Sequence, residues 1–288
     1  MSNPISQSQR RNTRLGALLA AATITGCASL PSANVDPSSL LIPTHTVFAA
    51  LDAEMLRLLE TANHGAIEKI IERYSPRLEQ FVERTERAFV SLDPRSAEVG
   101  GSPDFRVLLV GSYPAASFWI ASLFSPEIWA VRLDRLWYVA DDRFAFTLIG
   151  GDLLIAAEPA ALEASKSTEL DLFGRIGVGG VVLAARITDS AVIIQILENQ
   201  GVPIELARRF AIDRLDLELR RDGNRNVLSF KSSSPGELEA RLLGAGLLLI
   251  LDRSILRGFS RDGATIEFEL ELSAQQIADL VTRVAEES

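Results

Sequence analysis

The sequence predicts an α+β protein: antiparallel sheets with helices on one face, and an internal duplication of a strand-helix-strand-strand-helix-strand unit. Three observations carry this. Strand-period and helix-period stretches alternate along the chain from residue 47 onward. Turn signals such as Asp141-Asp142, Gly150-Gly151 and Asp222-Gly223 join neighbouring strands at hairpin distance. The order of elements in the first half recurs in the second.

Val47 to Leu51 reads as a strand, and Ala53 to Thr61 and Ala66 to Arg87 as helices. In the longer helix Ile67, Ile70, Ile71, Tyr74, Leu78, Phe81 and Val82 recur at three- and four-residue steps, and Pro76 kinks or divides it. "RAFVSL" and "FRVLLVGS" are strands, Pro114 opens the helix "PAASFWIASLF", and "LWYVA", "RFAFTLI" and "LLIAA" follow as strands. The second half begins with the strand "VVLAARI" from Val181. Helices at Ala191 to Asn199 and Ile204 to Phe210 come next. "LDLELR" alternates Leu215, Leu217 and Leu219 with Asp216, Glu218 and Arg220, and "NVLSFKS" returns across the Asp222-Gly223 turn. Pro235 opens the helix "PGELEARLLGA", with Ser234 and Glu237 as a capping box. "TIEFELEL" puts Ile266, Phe268, Leu270 and Leu272 on one face, and a closing helix starts at Ser273 with Gln276 completing its cap.

Pro114 and Pro235 lie 121 positions apart, and the strands at Val47 and Val182 lie 135 apart. The longer helical arm of the first half accounts for the difference. The expected organisation is a first repeat over 44–173, a Gly-rich linker "GRIGVGG" over 174–180, and a second repeat over 181–288. The linker glycines do not have dinucleotide-fingerprint spacing, and they precede a strand instead of opening a helix.

The first thirty residues concern address. Arg10, Arg11 and Arg14 form a basic start, and Leu15 to Ile24 is an apolar run too short to span a bilayer. Ile24-Thr25-Gly26-Cys27 then resembles the lipobox of bacterial lipoprotein signal peptides. The resemblance implies that residues 1–26 are removed as a signal peptide and that Cys27 is acylated. It also implies delivery to the cell envelope, with the outer membrane favoured by Ala28. Arg10-Arg11 hints at twin-arginine export, but Thr13 stands where that signal prefers a bulky apolar residue. Residues 27–43 are expected to be the acylated Cys and a flexible tether, Ser- and Pro-rich in "SLPSANVDPSS". Two or three acyl chains hold a protein firmly on a membrane, at about 0.8 kcal/mol per buried CH₂.

The 288 residues carry a net charge of −9. Removing residues 1–26, with three arginines and no acid, leaves 262 residues at −12. Such a chain is repelled by nucleic acid, which is not an expected partner. Cys27 is the only cysteine, so once it is acylated neither disulfides nor Cys-ligated metals are available. The chain is 47% hydrophobic with mean hydropathy +0.17, apolar for an exported domain.

Little in the sequence points to catalysis. The two histidines are His45, at the tether's end, and His64, in the helix-end signature "TANHGA" with Gly65 as cap. There is no HExxH, nucleophile elbow or Walker loop, and no cofactor or metal is expected. Glu267, Glu269 and Glu271 share one strand face, read as a solvated face that resists edge aggregation. The most distinctive feature is aromatic. Trp119, Trp129 and Trp137 fall in one interval with Tyr113, Phe118, Phe124 and Tyr138, and the helix from Ala115 is uncharged, unlike its second-half counterpart. This cluster is either packing between the halves or a contact surface, since Trp and Tyr are enriched at interfaces. Trp119 is expected in the core, and Trp129, in a loop-like stretch after Pro126, is expected to face a partner.

The resulting expectation is a lipid-anchored, non-catalytic binding or envelope-assembly component, partnered by the membrane and by an envelope protein. The alternative is a carrier or chaperone for an apolar ligand such as a lipid. A hydrolase with scattered residues is the third reading. A carrier needs a concave apolar cavity of several hundred Å³, a scaffold a flat exposed patch.

Overall fold

The computed structural model describes residues 37–62, 83–95, 104–113, 129–132, 135–141, 144–157, 174–199, 202–223, 225–250 and 255–277. Its strands are β1 (Val47–Asp52), β2 (Thr85–Asp93), β3 (Asp104–Gly111), β4 (Trp129–Arg132), β5 (Arg135–Asp141), β6 (Phe144–Ile149), β7 (Leu153–Ala157), β8 (Val181–Ile187), β9 (Arg214–Asp222), β10 (Arg225–Ser233), β11 (Leu256–Asp262) and β12 (Thr265–Leu272). The helices are α1 (Ala53–Ala62), α2 (Ser190–Asn199), α3 (Ile204–Phe210) and α4 (Glu237–Ile250).

All twelve strands form one antiparallel sheet in the order β11-β12-β10-β9-β8-β1-β2-β3-β7-β6-β5-β4. The sequence suggests separate sheets for the two halves. Instead β1 pairs with β8, bringing Ala49 opposite Ala185 and Ala50 opposite Ala184. Each opens its own half and is flanked on its far side by a strand of that half, β2 or β9, so the pairing closes two edges that would otherwise be exposed.

The two faces of the sheet differ. One carries the helices: Met55 of α1, Ile193 of α2, Phe210 of α3 and Leu243 of α4 pack on Leu51, Ala88, Leu219, Leu228, Ile266 and Leu270. Strand alternation sends the other set of side chains to the opposite face, where Phe48, Ala50, Phe89, Leu108, Ala145 and Ala184 form a smaller apolar cluster. Among the described residues no helix packs on this second face. It is covered instead by Leu40 and Leu41 from the segment before β1 and by Ile176 from the turn before β8.

Local chemistry explains how the helices start. Asp52, the last residue of β1, accepts a hydrogen bond from the Met55 amide at 2.8 Å, and Asp189, after β8, accepts one from the Ala191 amide at 2.8 Å. Each carboxylate satisfies an amide that the first helical turn leaves unpaired. Ser273 and Gln276 form the expected reciprocal cap: the Ser273 amide donates to Gln276 Oε1 at 2.8 Å and the Gln276 amide to Ser273 Oγ at 3.2 Å.

Several expectations are corrected. Ser234 does not cap α4: its Oγ is buried without a hydrogen-bond partner, and the helix begins two residues beyond Pro235, with the Gly236 carbonyl accepting from the Ala240 amide. The helix expected to run to Arg87 gives way to β2 at Thr85. The 174–180 segment is a tightly bonded turn, with the Arg221 amide donating to the Gly180 carbonyl at 2.8 Å. A Cβ at Gly180, where φ is +80°, would lie 2.2 Å from the Arg221 carbonyl oxygen, so only glycine fits. Within the span expected as tether, Pro37–Leu40 is a 3₁₀ turn and Leu41 and Ile42 are 0% and 2% exposed, so the tether is shorter than 27–43. His45 is buried beside Asp104. Trp129 opens strand β4 and is not in a loop.

Candidate contact face

The antiparallel register lines up side chains in rows across the sheet, because residues directly opposite share a face. One row on the second face, called helix-free because no described helix packs on it, runs Arg106, Ser91, Phe48, Arg186, Asp216, Lys231, Glu267, Ser260 across eight strands, from β3 to β11. The next row runs Leu108, Phe89, Ala50, Ala184, Glu218, Ser229, Glu269, Gly258. Over β3, β2, β1 and β8 the second row is apolar while the first carries Arg106, Ser91 and Arg186 around Phe48; over β9 to β12 both rows are polar or charged apart from Gly258.

The apolar part is closed by the strap, residues 37–46, which precedes β1. Arg106 donates from Nη1 to the Leu40 carbonyl at 2.8 Å, and the Ile42 amide donates to Ser91 Oγ at 3.4 Å. His45 Nε2 lies 3.3 Å from Asp104 Oδ2. Arg106 is 4% exposed. Burial pushes its guanidinium below the usual arginine range, with the charge of Asp104 acting in the opposite sense.

The charged part is paired rung by rung. Arg186 Nε is 2.8 Å from Asp216 Oδ1, and Arg214 grips both oxygens of the same carboxylate. Lys231 pairs with Glu267 at 2.5 Å, Arg220 with Glu269 at 3.3 Å, and Arg175 with Glu218 at 3.3 Å. Glu271 is held by Arg257 and lies 3.7 Å from Arg225. Burial alone pushes the Asp216 carboxyl up. Hydrogen bonds from Arg214 and Arg186, and their charges, outweigh it and hold the carboxyl below its ordinary value. Arg175, Arg214, Asp216, Glu218, Lys231, Glu267 and Glu269, with Leu217, Phe230, Phe259 and Phe268, border an open depression of about 730 Å³ over β9 to β12. Its chemistry suits electrostatic and hydrogen-bonded contact. Among the described residues there is no group of three or more His, Cys, Asp or Glu that could hold a metal.

The glutamate face of β12 was legible in the sequence, but its partners were missed. They sit on other strands, and register between distant strands is not a local property. One signal was available: a two-residue hairpin turn after Asp222 places Lys231 opposite Asp216.

The aromatic residues separate. Tyr113 is no surface residue. It is 4% exposed, its hydroxyl lies 2.9 Å from Thr85 Oγ1, and burial raises the phenol well above its ordinary pKa. Trp129 lies opposite Tyr138, and Ala130 opposite Trp137, in the β4–β5 pair at the outer end of the sheet. Phe118, Trp119, Phe124, the Pro114 helix, His64 and Cys27 lie outside the described residues.

No family model and no curated protein matches the chain. Solved structures do. Crystal form III of TP0453 superposes with a TM-score of 0.58 over 87% of this chain and 99% of that chain, at 15% identity. Crystal form IV gives 0.57 over 87% and 98% at 14% identity, and crystal form I gives 0.55 over 86% and 97% at 15% identity. The likeness is one of fold. It covers nearly the whole of the matched chain, so the large antiparallel sheet with a few helices is an architecture found in crystals.

Proposed function

We propose that the protein is a lipid-anchored, non-catalytic binding component of a bacterial cell envelope, and that the helix-free face of its sheet is the contact surface. The observation that carries this reading is the strap. The segment that follows the lipobox-like Ile24-Thr25-Gly26-Cys27 by ten residues is built into the centre of the sheet through Leu40, Leu41 and Ile42. The anchor and the helix-free face are thereby joined.

The large depression on that face bears on the carrier alternative. A carrier of apolar ligands needs an apolar cavity. The depression is open and bordered by Leu217, Phe230, Phe259 and Phe268 as well as by the charged Arg214, Asp216, Glu218, Lys231, Glu267 and Glu269; those six charges favour a mixed, largely polar contact surface over an apolar lipid pocket.

The sheet is also read as an internal duplication. From the β1–β8 join, both halves run outward through three sequential strands, β1-β2-β3 and β8-β9-β10, then β7 or β12, with its hairpin partner β6 or β11 outside; β5 and β4 lie beyond β6 without a counterpart. An aspartate at or just past the end of the opening strand caps the first helix of each half, Asp52 through the amide three residues on and Asp189 through the amide two residues on.

Capture from envelope extracts tests the contact surface. Wild type should retain a partner that the double variant Arg214→Glu, Lys231→Glu releases while its far-UV spectrum is unchanged. Equal capture by both would remove the charged face from the account.

A further inference from the structure

The anchor's point of entry bears on how the domain sits. Pro37 follows Cys27 by ten residues, which fully extended reach at most about 35 Å. The leash leads into the strap, whose Leu40 and Leu41 lie on the helix-free face in the cluster of Phe48, Phe89 and Leu108, and whose bonds to Ser91 and Arg106 lie two residues from their strand ends. Turning the helix-bearing side to the bilayer would require the leash to run about 7 Å to the strand ends. It would then cross the sheet-to-helix distance and the helix layer, about 20 Å more. That route takes most of its extension. The helix-free face needs no such detour.

The charge of that face permits close approach. The chain from Cys27 onward carries −12 overall, yet over β9 to β12 each carboxylate named above has an arginine or lysine beside it. This patch therefore carries no large excess of either sign. Neighbouring cations and carboxylates match the paired phosphate and ammonium of zwitterionic headgroups.

We propose that the helix-free face is the surface turned toward a bilayer of zwitterionic lipid, with the strap and its short leash enforcing the orientation. This rests on acylation at Cys27. The test uses the full acylated lipoprotein with one added thiol, Ser260→Cys on the helix-free face or Arg241→Cys on α4, labelled with bimane. Ser260 and Arg241 are both exposed, and acylation of Cys27 leaves the added thiol as the one reactive cysteine. Vesicles of phosphatidylcholine and phosphatidylethanolamine carry a headgroup nitroxide. Quenching should be at least about twofold greater at position 260 than at 241. Inserting twenty Gly/Ser residues between Asp36 and Pro37, which leaves strap and sheet intact, should bring the ratio close to one. Equal quenching, greater quenching at 241, or quenching at neither position in vesicle-bound protein overturns the orientation. A ratio unchanged by the insertion overturns the leash as its cause. Mass spectrometry of the same sample separates the two levels: absence of acyl chains on Cys27 overturns the anchor itself, whereas acylated protein with equal quenching overturns only the orientation.

Discussion

Arg106 donates from Nη1 to the carbonyl oxygen of Leu40, 2.8 Å away, joining β3 to a segment 66 residues earlier in the chain. A buried guanidinium is costly, and the bond to Leu40 and the nearby charge of Asp104 compensate part of that cost. Arg106→Met should leave the Leu40 carbonyl without this donor and lower stability by about 1–3 kcal/mol, read from urea midpoints. A neutral outcome would mean that the strap is not held by Arg106.

Leu41 provides the apolar half of the same hold. It is fully buried against the helix-free face. Leu41→Ala should cost about 2–5 kcal/mol in equilibrium unfolding, the range for a buried leucine. A change below about 0.5 kcal/mol would return residues 40–42 to the flexible tether.

Asp216 gives the stability a pH signature. Its folded pKa is depressed by the bonds from Arg214 and Arg186. The contribution is therefore complete above the unfolded value of about 3.9 and is lost as pH falls through the lower folded value. Asp216→Asn should be less stable than wild type at pH 7 by about 1–3 kcal/mol. The gap should narrow as pH drops below about 4. A gap independent of pH would show that the loss is one of packing.

The positions of these residues explain what could be read in advance. Strands with clean alternation, such as β9 and β12, were legible because one face buries Leu219 or Ile266 and the other carries charge. β4 escaped because four residues hold too few alternations. β11 escaped because "LRGFSRD" has a glycine, three charges and a bulge between Leu256 and Gly258. The β1–β8 join and the ion-pair rows depend on pairings between distant segments, which local pattern does not encode. The strap was hidden by its setting: Leu40, Leu41 and Ile42 are three consecutive apolar residues, but they directly follow a Ser- and Pro-rich run.

Gly180 tests the turn between the halves. Gly179 has φ +58°, and a Cβ there would meet no atom within 4 Å, whereas at Gly180 it would meet the Arg221 carbonyl. Gly179→Ala should cost about 1–2 kcal/mol, the left-handed backbone penalty alone. Gly180→Ala should cost clearly more, because it must also break the Arg221–Gly180 hydrogen bond. Equal melting points for the two variants would contradict the packed turn.

The central claim is that this sheet domain hangs from acyl chains on Cys27. Metabolic labelling with an alkyne fatty acid, comparing wild type with Cys27→Ser, tests it most directly. The account expects a labelled, processed wild-type chain beginning at Cys27, and a variant that is unlabelled and retained as the longer precursor. Equal labelling of both chains, or an unlabelled wild type, would contradict it.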